Sequence, residues 1–453
     1  FCILCGKEHT LSEKEEALLA KASQMSTVPN EVFSKFNNAD VKFGKVKREN
    51  GQEDELTNGN FATFMESHDR AVRKAAFEAL YKQYGAYINT IAAAFYGNVK
   101  QAMFYADARG YKSTLNMYLD GSFIPENVYK NLIKTVNGNL DKMYCYVDIR
   151  KKALGVDELH FYDIYAPMVE DIDWKISYDE AKDIVVKALA PMGEEYVSHI
   201  KEGFNNGWVD VYENTGKRSG AFSWGAYGTH PYVFLNYSDT LNDVFTVIHE
   251  MGHAMHTYYS NANQPYIYAG YKIFVAEVAS TCNEAILMQY MLKNTDDEKK
   301  KRYLLNHFFE QFKGTLYRQT MFAEFEMEAH AKAEHGEVLS AESLCAMYKK
   351  LNEKYFGPDM VIDDEIALEW ARIPHFYTPF YVYQYATGYS AAIAISTKIL
   401  AGDEQVIAGY RKFLSGGSSM HPIELLKLCG IDMTRPDVVQ EALDVFGELL
   451  KQW

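Results

Sequence analysis

Apolar residues recur every three or four positions along most of this chain, the spacing of helices that bury one face. Residues 11–25 carry such a stripe through Leu18, Leu19 and Ala22, and Ser12 followed by Glu15 predicts a capping box at its start. The same period predicts helix over 69–106, 128–154 and 177–204. Residues 41–46 and 56–64 flank a charged, Gly-containing turn at 47–55, the pattern of a small hairpin or of a strand feeding a helix. The period breaks at 205–237. There, short aromatic and β-branched runs (207–212, 220–224 and 231–237) are separated by Gly, Asn and Thr, which predicts three short strands. Helical spacing then returns and persists to Trp453. The expectation is a mainly α fold with a small sheet.

The first helix after the strands carries the chemistry. Leu241, Val244, Phe245, Ile248, Gly252, Met255 and Tyr259 form its core stripe, with Asp239 or Thr240 as N-cap. Beside that stripe, His249, His253 and His256 form a second one, and His249-Glu250-Met251-Gly252-His253 is an HExxH word. Two imidazoles one turn apart can share a zinc ion, and a carboxylate between them can serve as its general base, here Glu250. Gly252 costs about 1 kcal/mol in a helix interior, so something is expected to pack closely against it.

A catalytic zinc needs a third protein ligand and an open position. Glu277 and Glu284 share one side of the next helical run, whose flanks are apolar, and spacing does not choose between them. Attack on an amide also needs a donor for the developing oxyanion. The segment 373–389 offers His375 and five tyrosines, among them Tyr377, Tyr383 and Tyr385. Thr378-Pro379 predicts a helix start there, with His375 and Tyr377 in the preceding loop. By contrast, Glu324, Glu326, Glu328, His330, Glu334 and His335 contain no i,i+4 histidine pair and read as a solvated face.

Composition narrows the partners. The 453 residues are 48% hydrophobic and 24% charged, with a net charge of -15, which argues against nucleic acid and anionic membrane as partners. No apolar run is long enough to span a bilayer. Six cysteines are too few for a disulfide framework and fit a reducing, cytoplasmic setting. Cys2-Ile3-Leu4-Cys5 is a lone CxxC, read as two reduced thiols. The start at Phe1, without Met, suggests a fragment or a processed form.

Residues 249–256 (HEMGHAMH), 274–280 (FVAEVAS) and 375–389 resemble the thimet-oligopeptidase-like zinc metallopeptidases. Residues 217–224 and 229–232 are similar to the oligoendopeptidase F subgroup. The resemblance implies a helical, clam-like fold with a deep substrate channel and a small antiparallel sheet beside the HExxH helix. It implies an N-terminal region over 1–95, shortened relative to the family, and a catalytic domain over 96–453. It implies one Zn²⁺ per chain on His249, His253 and Glu277, with Glu250 as base. The Gly220, Ala221 and Phe222 strand edge would pair with substrate main chain, with Tyr377 as a further substrate contact. His375 and Tyr383, or else Tyr385, would be transition-state donors. The implied activity is endopeptidase cleavage of short peptides. The alternatives are a peptidyl-dipeptidase resembling angiotensin-converting enzyme, and a peptide-binding helical scaffold whose structural zinc is closed by a fourth ligand such as His256.

Overall fold

In the computed structural model residues 6–169, 172 and 174–453 are described; Cys2 and Cys5 of the CxxC lie outside them. The chain is mainly helical, with short strands gathered in small sheets. It forms two compact units, each from three stretches. The first comprises Phe1–Gly121, Leu140–Met168 and Thr320–Tyr383; the second comprises Ser122–Asn139, Val169–Gln319 and Gln384–Trp453.

In the first unit, the Ser12 amide donates to Glu15 (3.0 Å) at the start of helix Glu13–Ser26, as the capping box requires. The charged turn is a hairpin whose strands, Lys45–Lys47 and Glu53–Glu55, lie mostly inside the segment read as turn. Its antiparallel register sets Lys45 opposite Glu55 and Lys47 opposite Glu53, so unlike charges face each other across the ladder. The run 69–106 is two helices, Arg70–Ala86 and Ile88–Ala108, interrupted at Tyr87.

Two expectations fail in this unit. The supposed solvated face of helix Arg318–Glu334 buries Glu324, Glu326 and His330. Lys354 Nζ (2.6 Å) and the Tyr355 hydroxyl (2.8 Å) donate to Glu324, and the Thr114 amide and hydroxyl both donate to Glu334 at 2.7 Å. Burial pushes Glu326 up to about 8 and His330 down to about 3, which disfavours charge on either. The partners come from remote sequence, so helical periodicity could not reveal them. Similarly, the helix expected from Thr378-Pro379 begins only at Tyr383. Phe380 adopts a left-handed φ of 55° and gives its amide to Glu326 at 3.0 Å, which holds the chain out of helix.

Asp163 anchors the same unit. Its fully buried carboxylate accepts from Arg73 (2.7 Å) and Arg70 (2.8 Å) and from the His160 amide (3.1 Å). Arg73 also donates to the carbonyls of Ser67, His68 and Tyr162, tying two segments to one charge pair.

The second unit holds α1 (Tyr178–Ala188) and α2 (Glu194–Asn205), so the run 177–204 is broken, at the 3₁₀ turn Ala190–Met192. Strands β1 (Val209–Asp210), β2 (Phe222–Trp224) and β3 (Tyr232–Phe234) follow, then α3 (Leu241–Asn263), α4 (Ile273–Lys293) and α5 (Glu298–Gln311). The sheet order is β1-β3-β2, with β2 antiparallel to β3 but β1 parallel to it. The sheet is therefore mixed rather than antiparallel. The chain reverses twice between β1 and β3, which restores the original direction.

Removing the Asp163 carboxylate strands buried Arg73 without its charge partner. Asp163→Ala is expected to lower unfolding free energy by roughly 3–5 kcal/mol in denaturant titration. Burial pushes the Asp163 carboxyl up, but hydrogen bonds from Arg70 and Arg73 outweigh it and hold the group below the ordinary aspartate value. The stabilisation is thus complete above that ordinary value and is lost as pH falls through the lowered one. The deficit of the variant should shrink over that acid range; a deficit independent of pH would contradict the assignment.

Candidate metal centre

α3 starts as its sequence indicates, at Thr240. The Asp243 amide donates to Thr240 Oγ1 (3.2 Å), and the Thr240 amide donates back to Asp243 (2.9 Å). Leu241, Val244, Phe245, Ile248, Met255 and Tyr259 are all buried, so the apolar stripe sets which way the helix faces. At Gly252, α3 meets α4 backbone to backbone. A Cβ there would lie 2.6 Å from Ser280 Cα and 2.8 Å from the Ala279 carbonyl oxygen.

That contact brings three side chains together. Among the described residues, the ligand atoms of His249, His253 and Glu277 lie within 4.8 Å of one another. Glu277 Oε2 is 3.6 Å from His249 Nε2 and 3.5 Å from His253 Nε2. Glu284 faces the opposite side of the ring, hydrogen-bonded to His249 Nδ1. Two imidazole nitrogens and one carboxylate oxygen are a donor set that suits zinc with a coordination position left open.

His256 departs from the stripe expected for it. It is fully buried, stacked on Tyr271 with centroids 3.7 Å apart, and neither ring nitrogen has a hydrogen-bond partner. Burial pushes it down to about 3, so it packs as a neutral ring. At seven residues from His249 it has rotated about 20° per heptad past the pair and into the core.

The charges of the cluster are interdependent. Burial lowers the His249 pKa, but the hydrogen bond and charge of Glu284, then the charges of Glu277 and Glu250, raise it to about 9. Burial raises the Glu277 pKa, yet His253 and His249, helped by Ser280, bring it down to about 2. Glu250 is 6% exposed and its Oε2 has no hydrogen-bond partner. There burial outweighs the neighbouring histidines and raises the carboxyl pKa.

β2 is an edge strand of its sheet. The loop before it is fastened from below: Lys217 Nζ donates to the Tyr212 carbonyl (2.8 Å), and Asn236 Nδ2 donates to the carbonyls of Arg218 (3.0 Å) and Gly220 (2.8 Å). Gly220 has φ of 93°, a conformation that explains glycine there. Phe222 and Trp224 are exposed.

The remaining site candidates fall in different places. Tyr385 belongs to the second unit, as the metal cluster does. His375, Tyr377 and Tyr383 belong to the first. His375 is exposed in the 3₁₀ turn Pro374–Tyr377 and stacks over Tyr381 at 6.0 Å. Tyr377 is buried and stacks on Phe33 at 4.4 Å, and Tyr383 is buried at the first turn of its helix. Gln311 and His307, which lie behind Glu284, escaped the sequence reading. The sole clue is polar side chains set among the buried Leu304, Leu305, Phe308 and Phe309.

Residues 63–445 match the profile of Peptidase family M3, and residues 3–43 match that of Oligopeptidase F. The chain belongs to peptidase family M3. Proteins similar to it include Oligopeptidase PepF of Bacillus subtilis (strain 168), 53% identical over 446 residues, 98% of this chain and 67% of that protein. An Oligoendopeptidase F homolog of Lactococcus lactis subsp. lactis (strain IL1403) is 43% identical over 99% of this chain and 75% of its own. The crystal structure of oligoendopeptidase-F from Enterococcus faecium matches with a TM-score of 0.84 at 37% identity, covering 99% of this chain and 75% of that one. As an M3 peptidase of the oligopeptidase F type, the chain is a metallo-endopeptidase. Among the described residues, no helix is long and apolar enough to cross a membrane.

With His249 holding its proton up to about pH 9, a cation entering the cluster must displace it. Zinc association is expected to release about one proton near pH 7 and to strengthen about tenfold per pH unit from 7 towards 9. Calorimetry in buffers of different ionisation enthalpy measures this. Binding without proton release would contradict the coupled cluster.

Proposed function

We propose that this chain is a zinc-dependent endopeptidase that cleaves internal bonds of short oligopeptides. One zinc ion is held by His249, His253 and Glu277. The observation that carries this reading is the convergence of those three ligand atoms next to Glu250, whose buried carboxylate has an oxygen with no other partner. When bound, zinc would supply the Lewis acid that polarises the scissile carbonyl and makes water easier to deprotonate.

Glu250 accepts the proton of the attacking water and returns it to the departing amine. Its raised pKa suits both halves of that transfer, because the carboxylate becomes a better base without losing the ability to donate. Glu284 keeps the His249 ring oriented through Nδ1, so that Nε2 faces Glu277, where zinc would be held. The β2 edge, reached through Gly220 and Ala221 and starting at Phe222, offers backbone groups to an extended peptide. For His375, Tyr383 and Tyr385 as oxyanion donors, the support is the likeness of their segment to the family. Tyr377 as a substrate contact has that support too, set against its burial on Phe33. We also propose, on the family likeness alone, the division into an N-terminal region over 1–95 and a catalytic domain over 96–453, a boundary that falls inside helix Ile88–Ala108. The net charge of -15 supports peptides rather than nucleic acid or anionic membrane as partners, and sparse cysteines support a cytoplasmic setting.

Glu250→Gln should retain zinc and fold while kcat falls about 10²- to 10⁴-fold on an internally quenched peptide. Full activity in that variant, or in metal-stripped protein, would sink the mechanism. Mass spectrometry of the products separates the alternatives. Cleavage at internal bonds supports the endopeptidase, whereas dipeptides released only from the C-terminus would indicate a peptidyl-dipeptidase.

A further inference from the structure

Behind Glu284, the partner of His249, stand two polar side chains, Gln311 and His307, that none of the steps above uses. Glu284 accepts from His249 Nδ1 through Oε1 and from Gln311 Nε2 through Oε2 at 3.0 Å. The same Gln311 nitrogen is 3.4 Å from His307 Nε2. Burial holds His307 below its ordinary pKa, against the charges of Glu284 and Glu310, so its ring stays neutral and Nε2 can accept. His307 is itself fixed by stacking on Phe245 of α3, with centroids 4.8 Å apart. The two amide hydrogens of Gln311 therefore have two acceptors waiting, one on each side. Glu284 in turn has a donor on each oxygen, and its side chain is only 16% exposed.

Gln311 closes α5, and the residue after it opens a π-helical segment, Phe312–Tyr317. Such wide turns cost backbone regularity and recur at functional sites. Here the wide turn begins one residue after Gln311, the side chain that reaches back to Glu284.

We propose that Gln311 is a positioning residue for the metal. Through Glu284 it fixes the orientation and tautomer of His249, and His307 sets the orientation of Gln311. An amide at 311 suits the site because its single nitrogen carries two hydrogens, one for a carboxylate and one for a neutral imidazole. Without it, one Glu284 oxygen is left in a largely buried position with no donor, and the carboxylate is free to turn away from Nδ1. This inference rests on His249 being a zinc ligand, as proposed above.

The test is the zinc dissociation constant of the full chain by chelator competition at fixed pH, with the melting temperature of the metal-free forms alongside. Gln311→Leu removes both donors. Gln311→Glu keeps the shape but replaces the donor with a second carboxylate, so a merely space-filling role would tolerate it. Each is expected to weaken zinc binding by about tenfold or more. In a Glu284→Gln background, Gln311→Leu should add less than about twofold, because the hydrogen-bond chain is already cut. Zinc binding as tight as wild type in either single variant would overturn the proposal. So would effects that multiply fully in the double variant. If Gln311→Leu melts early, the isosteric Gln311→Glu decides. A separate arm tests the underlying reading. If His249→Ala binds zinc like wild type, the ligand assignment fails and the relay with it. If His249→Ala loses zinc while both Gln311 variants keep it, only the relay fails.

Discussion

The close approach of α3 and α4 at Gly252 is the constraint on which the rest depends. Ser280 Cα and the Ala279 carbonyl occupy the space a side chain at 252 would need. His249 and His253 flank Gly252 on one helix, and Glu277 lies one turn before Ser280 on the other. A backbone-to-backbone contact between the two helices therefore lies close along both chains to the three side chains that converge. A glycine inside a helix sacrifices about 1 kcal/mol of local stability. The packing it permits offsets that loss and sets the reach of Glu277 to within 3.6 Å of both Nε2 atoms.

Electrostatics follows from this geometry. Glu250, Glu277 and Glu284 crowd two imidazoles in a half-buried place, and the cluster answers by holding a proton on His249 and a full charge on Glu277. Protons and a divalent cation compete for the same positions. Glu250 is the exception, since burial rather than a partner dominates its environment. One constellation thus contains carboxylates pushed in opposite directions, Glu277 down and Glu250 up, which suits the ligand and proton-carrier roles proposed for them. Behind it, Glu284, Gln311 and His307 extend the order outwards by hydrogen bonds alone.

Much of this is legible in the sequence where the determinants are local. The Ser12 and Thr240 caps and the core stripe of α3 depend on residues within a turn or two of each other, and a glycine at 252 inside that helix signals a close neighbour without naming it. What sequence misses depends on distant partners. Glu324 and His330 are buried because Lys354, Tyr355 and Thr114 meet them there, and Phe380 leaves the helical region to reach Glu326. His256 shares the stripe of His249 on paper, but the drift of a real helix places it against Tyr271. Glu277 and Glu284 are on one side of α4, and only the height of α3 against it determines which ring nitrogen each faces. The mixed sheet likewise depends on how the connections fold back, which no single strand encodes.

Zinc affinity of Gly252→Ala tests the central claim most directly. The added methyl must displace the α4 backbone near Ser280 and so draw Glu277 from the histidine pair, although every proposed ligand remains in the sequence. Measured by chelator competition in protein that still melts cooperatively, the variant should bind zinc at least about tenfold more weakly than wild type, by the same reasoning that makes small misplacements costly. Unchanged affinity in a folded Gly252→Ala protein would mean that the helix contact does not build the metal site, and would contradict the account.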